Sequence, residues 1–280
     1  MARHVIVTGA AGLLGSHVAA AFRQAQWQVT ALDVAADKSR NIGQADLRDL
    51  KTAHALVRDA DCVAHIASIP RPVGYAAHEV FDTNMSLMFN VQSAMEEAGI
   101  GKLLFASSFS VLGLPFAERP VKLHYFPVDE SHPVAPQDVY AVTKWLGEEM
   151  VDAWARRTGG TAVSLRMPWI QTAQSFLRDV VPRRARKESG LDLWAYIDAR
   201  DAARAFVLAA EAPLEGHSRM FISASDTYHE YPTPLLLSRS YPDVEVREEL
   251  PGHAAVISST RARELIGFVP EHSWRQYGGS

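Results

Sequence analysis

The sequence predicts an α/β fold: a doubly wound parallel sheet with a small C-terminal substrate lobe. Three observations carry this. Short β-rich runs alternate with helical patterns through the first half of the 280-residue chain. Three glycines spaced three apart, Gly9, Gly12 and Gly15, follow the first such run and open the first helical pattern. The alternation then breaks, first across a proline-rich stretch from Leu112 to Pro136 and again after Pro168.

In order, His4 to Thr8 reads as a buried strand and Leu13 to Gln24 as a helix with apolar residues on one side. Gln28 to Leu32 is the second strand, and a helix is expected near Leu50 to Arg58. A strand over Asp61 to Ile66, a helix over His78 to Ala98 and a strand over Lys102 to Ala106 follow. The stretch from Leu112 to Pro136 holds five prolines and no clean period, so it is expected as a loop bordering the active site. Val139 to Arg157 is a helix and Thr161 to Leu165 a strand. Later come a short strand over Asp192 to Ile197, a helix from about Asp201 to Ala212 and a last strand over Arg219 to Ser223. Residues 1–168 are expected to form the Rossmann-type domain, with about 201–224 returning to it. Residues 169–280 mainly form the small lobe.

Lys and Arg number 28 against 32 Asp and Glu, and this slightly negative balance argues against a nucleic-acid surface. Cys62, the single cysteine, excludes an internal disulfide framework and a cysteine-based zinc cluster; no metal site is expected. It stands in the apolar run Cys62-Val63-Ala64-His65-Ile66 and reads as a buried thiol. No apolar run reaches membrane-spanning length, and the opening residues lack a signal-like core. A cytoplasmic setting is the expectation.

The loop Thr8-Gly9-Ala10-Ala11-Gly12-Leu13-Leu14-Gly15 offers a dinucleotide the turn, backbone approach and helix N-terminus that its pyrophosphate needs. Asp33 closes the second strand, where an acid meets the adenosine ribose. A 2′-phosphate there would face a like charge, at a cost of roughly 1 kcal/mol in water and about 4 kcal/mol at an effective dielectric of 20. Asp33 therefore favours NAD over NADP. Lys38 and Arg40 lie nearby and either soften this preference or stand solvated. Asp46-Leu47 either holds the adenine amino group or starts a surface helix. Ile66, Ala67 and Ser68 end a strand with residues small enough for close approach, and His65 reads as a satisfied core histidine.

Tyr140 and Lys144 stand four apart in a helical pattern, which puts phenol and ammonium on one face. A free phenol has a pKa near about 10, so acting as a base near pH 7 needs roughly 4 kcal/mol of help. Lys144 and an oxidised nicotinamide are expected to supply it. Ala106-Ser107-Ser108-Phe109-Ser110 ends a strand, and one of its serines can hold a substrate oxygen. These residues predict hydride transfer between a nicotinamide and an alcohol carbon.

In this order they resemble the extended short-chain dehydrogenase/reductase superfamily, which includes NAD-dependent sugar epimerases, dehydratases and uronate dehydrogenases. Val111-Leu112-Gly113 is similar to its Val-Tyr-Gly, and Asn84 and Asn90 match asparagines of its fourth helix. Leu165-Arg166-Met167-Pro168 is like its Leu-Arg-x-Pro region. Ala195 to Ala203 resembles its Tyr-Ile-x-Val-x-Asp-Val-Ala segment. The resemblance implies Ser108 as the catalytic serine beside Tyr140 and Lys144, and Ser107 nearer the cofactor. It adds Asn84 and Pro168 to the cofactor contacts Gly9, Gly12, Leu13, Leu14, Gly15, Asp33, Asp46, Leu47, Ile66 and Ala67. Leu112 departs from the usual tyrosine, which bears on the substrate pocket rather than the hydride chemistry.

The short stretch between Pro168 and Ala195 favours a small, non-nucleotide, carbohydrate-like substrate. Its expected contacts are Ser68, Arg71, Ser108, Ser110 and Arg178, the last at a position where the resemblance implies a carboxylate-binding arginine. The cluster Arg183, Arg184, Arg186 and Lys187 either grips an acidic group or is a solvated face. Trp169 and Phe176 pack on a sugar face or within the lobe. The leading expectation is an NAD-dependent sugar or sugar-acid oxidoreductase. An epimerase or dehydratase using the same residues comes second, and an NAD-sensing regulator without catalysis third. The resemblance also implies a homodimer through the helices near His78 to Ala98 and Val139 to Arg157.

Overall fold

The computed structural model describes residues 3–184 and 190–277. β1 (His4–Thr8) runs through the glycine turn into α1 (Leu13–Gln24), followed by β2 (Gln28–Asp33), β3 (Ile42–Gln44) and α2 (Leu50–Leu56). Next come β4 (Cys62–His65), α3 (Ala77–Ala98), β5 (Lys102–Ser108), β6 (Tyr125–Phe126), α4 (Val139–Thr158), β7 (Thr161–Met167) and β8 (Trp169–Gln171). α5 (Ala173–Ser175) and α6 (Val181–Arg184) are joined by the π-helical turn Phe176–Val180. β9 (Tyr196–Asp198), α7 (Ala199–Glu211), β10 (His217–Phe221), α8 (Thr233–Ser240), β11 (Glu245–Val246) and α9 (Thr260–Ile266) complete the order.

Seven strands form one parallel sheet in the order β10-β7-β5-β4-β1-β2-β3. The chain begins at the centre, steps outward to β3, then crosses to β4 on the other side of β1. That reversal opens a crevice at the carboxyl ends of β1 and β4, where ligands gather in open sheets. The strand period of two divides the core between the faces. Val5, Val7, Leu104 and Ala106 pack with Val18 and Phe22 of α1 and Phe206 of α7. Ile6, Val63, Leu103 and Phe105 pack on the other face with Ala53, Met88, Val91, Val151 and Trp154 from α2, α3 and α4. Full burial of such large apolar side chains stabilises by about 1.5–3 kcal/mol each. Side-chain caps set two helix starts: Asp138 accepts from Ala141 N at 2.9 Å to open α4, and Asp198 from Arg200 N at 2.8 Å to open α7.

A third core gathers Phe109, Leu112, Phe126, Phe176, Tyr196, Phe221, Leu236 and Val256. It corrects two expectations. The proline-rich stretch is not wholly irregular, because β6 pairs in parallel with β11, Tyr125 opposite Glu245. Two residues are too few to show a period. The strand expected over Asp192 to Ile197 shrinks to β9. Leu193 and Trp194 take left-handed backbone (φ 56° and 51°), and Asp192 accepts from Trp194 N at 3.1 Å, which makes a turn. Among the described residues no helix is long and apolar enough to cross a membrane.

Candidate active site

The glycine loop is shaped by close approach. Gly9 has φ +69°, and a Cβ there would lie 2.7 Å from Ala67 N. A Cβ on Gly15 would run into the Gly9 carbonyl, so β1 and α1 meet only because both positions lack side chains. Gly12 caps α1 with extended backbone; no side chain caps this helix and no acid stands in its first turn. Its opening N–H groups therefore have no side-chain cap from the protein. Leu14 is buried in the core while Leu13 stays exposed.

Asp33 lies against this loop. Its Oδ2 accepts from Ala11 N at 2.9 Å and its Oδ1 from Ala35 N at 3.0 Å, leaving lone pairs for further donors. Arg40 is not simply solvated. Its Nε donates to Asp37 at 2.5 Å and its Nη1 reaches Ala11 O at 3.4 Å. Asp46 is taken up by Arg48, whose Nη2 donates to it at 2.7 Å, so the expected adenine contact must compete with that pair. The Leu47 side chain is buried, and its carbonyl accepts from Asn90 Nδ2 at 3.0 Å.

At the end of β4 the histidine reading holds. Ile66 N and Ala67 N both donate to Thr8 Oγ1, at 3.0 and 3.1 Å. The Thr8 proton is left for His65 Nδ1 at 3.0 Å, which assigns the imidazole proton to Nε2. Burial, with the Lys144 charge nearby, holds His65 down to about 3, so it stays neutral. Cys62 is buried and its thiol is pushed up to about 12 by burial, as an inert core residue requires. Asn84 does not present its amide to a ligand. It accepts from Ile69 N at 2.7 Å and donates to Ile69 O at 3.2 Å and Thr143 Oγ1 at 3.0 Å, pinning the loop after β4 to α3 and α4.

The first turns of α4 carry Tyr140 and Lys144, both buried. Lys144 Nζ donates to Ala106 O at 2.8 Å and Ser68 Oγ at 3.2 Å, and stands 5.6 Å from the Tyr140 ring centre. Burial pushes the Tyr140 phenol up to about 12; hydrogen bonding with Ser108 pulls the other way, and the Asp138 carboxylate adds to the rise. Burial draws Lys144 down to about 7. Burial thus weakens the help expected from Lys144, which is anchored to the Ala106 carbonyl and the Ser68 hydroxyl. Ser108 Oγ donates to Ser110 Oγ at 3.0 Å and accepts from Ser110 N at 3.1 Å, so both hydroxyls belong to the turn that follows β5.

Ser107 departs from its expected place. Strand alternation turns it beneath α4, where its Oγ donates to buried Glu148 Oε1 at 2.6 Å. Arg166 of β7 donates to both oxygens of that carboxylate, at 2.9 and 2.7 Å, and Arg219 of β10 adds a contact at 3.1 Å. Removing one partner of such a buried pair costs about 3–5 kcal/mol. Glu148 was invisible as a candidate, although it stands four residues beyond Lys144 on the same helix face.

On the substrate side, Met167 pairs with Ser108 across β5 and β7, so buried Pro168 and half-buried Trp169 sit just beyond the serine. Arg178 does not offer a free guanidinium: it is exposed and donates to neighbouring Asp179 at 2.8 and 2.7 Å. Arg183 lies 4.5 Å over Trp169, and Arg184 lies 3.6 Å over Trp274 while pairing with Glu230 at 3.3 Å. Arg186 and Lys187 fall outside the described residues. Phe176 is core, stacked on Trp274 at 5.5 Å. Arg71 is exposed in the loop after Ile69.

The sequence pattern of the NAD dependent epimerase/dehydratase family matches residues 5–222. The chain is similar to a putative UDP-glucose 4-epimerase of Methanocaldococcus jannaschii, 30% identical over 166 residues, covering 55% of this chain and 52% of that protein. It is 32% identical over 178 residues to an L-arabinose 1-dehydrogenase (NAD(P)(+)) of Haloferax volcanii, covering 62% of this chain and 69% of that protein. A uronate dehydrogenase of Pseudomonas syringae pv. tomato is 26% identical over 170 residues, 58% of each chain. The chain spans about half the length of the first curated relatives it matches, 52% and 48%. The crystal structure of UDP-glucose 4-epimerase from Bifidobacterium longum in complex with NAD+ and UDP shares the fold. Its TM-score is 0.73 at 18% identity, over 97% of this chain and 94% of that one.

Proposed function

The chain belongs to the NAD dependent epimerase/dehydratase family, and from that premise we propose that it is an NAD-dependent oxidoreductase acting on a hydroxyl of a sugar, sugar acid or similar small polyol. One observation carries the reading: Ser108, Tyr140 and Lys144 converge at the end of β5, on the crevice that the glycine loop and Asp33 open. The cofactor is NAD. The uncapped N-terminus of α1 fits its diphosphate, the side-chain-free Gly9 and Gly15 give the close approach, and Asp33 fits an adenosine ribose. When bound, NAD would supply the hydride acceptor and the positive charge of its oxidised ring.

The residues of the chain then divide the proton work. Ser108 orients the substrate oxygen by hydrogen bonding. Tyr140 takes the hydroxyl proton as the carbon–oxygen bond becomes a carbonyl. Its phenol starts high because burial disfavours phenolate, and the Ser108 hydrogen bond works against that rise. Lys144 fixes the floor of this site through Ala106 O and Ser68 Oγ. The L-arabinose and uronate dehydrogenases among its relatives support the reading.

A second reading is favoured by a relative aligned along nearly the full length. A UDP-glucose 4-epimerase of Corynebacterium glutamicum is 23% identical over 313 residues, covering 96% of this chain and 91% of that protein. An epimerase would use the same proton set and return the hydride to the opposite face of the ketone. Mixing the protein with NAD and a panel of aldoses, uronic acids and UDP-sugars separates the two. A dehydrogenase accumulates NADH, whereas an epimerase converts sugar without it.

We further propose a homodimer through α3 and α4, supported by Phe81 and Phe89, which lie eight residues apart on α3 and are 39% and 58% exposed. Sedimentation would read twice the chain mass. A cytoplasmic location accords with the buried, unpaired thiol of Cys62.

A further inference from the structure

Helix α4 meets strand β5 residue by residue. Gly147 lets the helix close on the sheet, since a Cβ there would lie 2.8 Å from the Phe105 ring. Lys144 Nζ holds the next residue through Ala106 O at 2.8 Å. Glu148 Oε1 holds Ser107 Oγ at 2.6 Å. Tyr140 then meets Ser108. Four consecutive strand residues thus meet one helix face, and only the last contact belongs to the proposed chemistry.

The contact just before it is the most heavily braced. Glu148 is fully buried, and Arg166 and Arg219 tie its carboxylate to β7 and β10. Arg166 lies opposite both Ser107 and Phe221 in the sheet register, so the carboxylate is centred over three adjacent strands. The helix cannot slide or turn without breaking charge-assisted hydrogen bonds in the interior.

We propose that Glu148 is a positioning residue: acting through Ser107, it sets the register of α4 on β5 and so the placement of Tyr140 and Lys144 against Ser108. This rests on the oxidoreductase reading above for its kinetic consequence. Small misplacements of reacting groups cost large factors in rate while leaving binding nearly intact.

The test uses the full chain with Ser107→Ala, Ser107→Thr and Glu148→Gln. The least disruptive variant, Ser107→Ala, keeps the Glu148–Arg166 pair and removes only the link to the strand. The expected result is a fall in kcat of about tenfold with KM for NAD within about twofold. Ser107→Thr restores kcat by keeping the hydroxyl, and Glu148→Gln falls at least as far as Ser107→Ala. A raised KM for NAD with unchanged kcat would instead make Ser107 a cofactor contact and overturn the proposal, as would no change in either constant.

Hydrogen exchange reads the clamp without turnover. Faster exchange over residues 139–148 in Ser107→Ala, with α1 unchanged, is expected, and unchanged exchange at both places overturns it. A wild-type protein inert toward every sugar, with that local loosening present, would sink the oxidoreductase reading and leave the clamp standing.

Discussion

The glycine-loop wall of the proposed active cleft and the third core are built by different means. The glycine-loop wall is largely backbone. Gly9, Gly12 and Gly15 shape it, Thr8 gathers two amides, and Asp33 is fixed by two more. The third core is instead tied by a web of side chains from distant segments. Tyr196 donates to Asp226 at 2.6 Å, Tyr228 to Asp192 at 2.6 Å and Tyr277 to Asp198 at 2.5 Å. A backbone wall binds what all members of a fold share. A web of side chains can be rewritten without disturbing the sheet.

Gly15→Ala should break the glycine-loop wall most severely. The added methyl meets the Gly9 carbonyl, and relief requires separating β1 from α1, at a cost of several kcal/mol, roughly 3 or more. Calorimetry should find no measurable NAD binding and a lower melting temperature. Retained NAD affinity would mean that the loop is not the phosphate site.

Lys144→Met should separate chemistry from stability. Turnover is expected to fall about a hundredfold or more. A lysine held near 7 in the folded protein against an ordinary 10.5 binds fewer protons folded than unfolded. Its burial therefore costs stability below about pH 7, and that cost fades as pH climbs towards 10.5. The variant should gain about 2 kcal/mol at pH 6, net of its lost hydrogen bonds, and less at pH 9. Denaturant titration at the two pH values checks the sign, and a larger gain at pH 9 would contradict it.

Asp33→Ser should sharpen the comparison from the cofactor side alone. Removing the charge is expected to raise the NADP-to-NAD ratio of kcat/KM by about tenfold. The ranking of sugars should not change. Arg178→Ala should give the smallest effect: with its guanidinium exposed and paired to Asp179, kcat/KM for acidic and neutral sugars should stay within about twofold. A selective loss with acidic sugars would return Arg178 to the substrate site.

The same contrast explains what could be read in advance. α1 was legible to the residue because its apolar stripe starts at a glycine turn and stops at Gln24. Tyr140 and Lys144 could be put on one helix face from their four-residue spacing, whereas Ser108 was singled out among its neighbouring serines only through the family resemblance. Ser107 was misplaced because two adjacent serines look alike until strand alternation sends one under the helix to Glu148. Asn84 and Asp46 were found as positions, but their partners Ile69 and Arg48 could not be. The turn at Leu193 and Trp194 was hidden because left-handed backbone at non-glycine residues leaves no mark in composition. The third core joins Phe109 to Phe176 and Tyr196 across long separations, which no periodicity encodes.

The central claim is that Tyr140 exchanges the substrate proton beside bound NAD. Absorbance of reduced nicotinamide, followed for wild type and Tyr140→Phe with NAD and the best substrate of the sugar panel, tests it most directly. NADH should accumulate with the wild type and fall by about a thousandfold in rate for Tyr140→Phe, with NAD affinity unchanged. Equal NADH production by the two proteins would contradict the account.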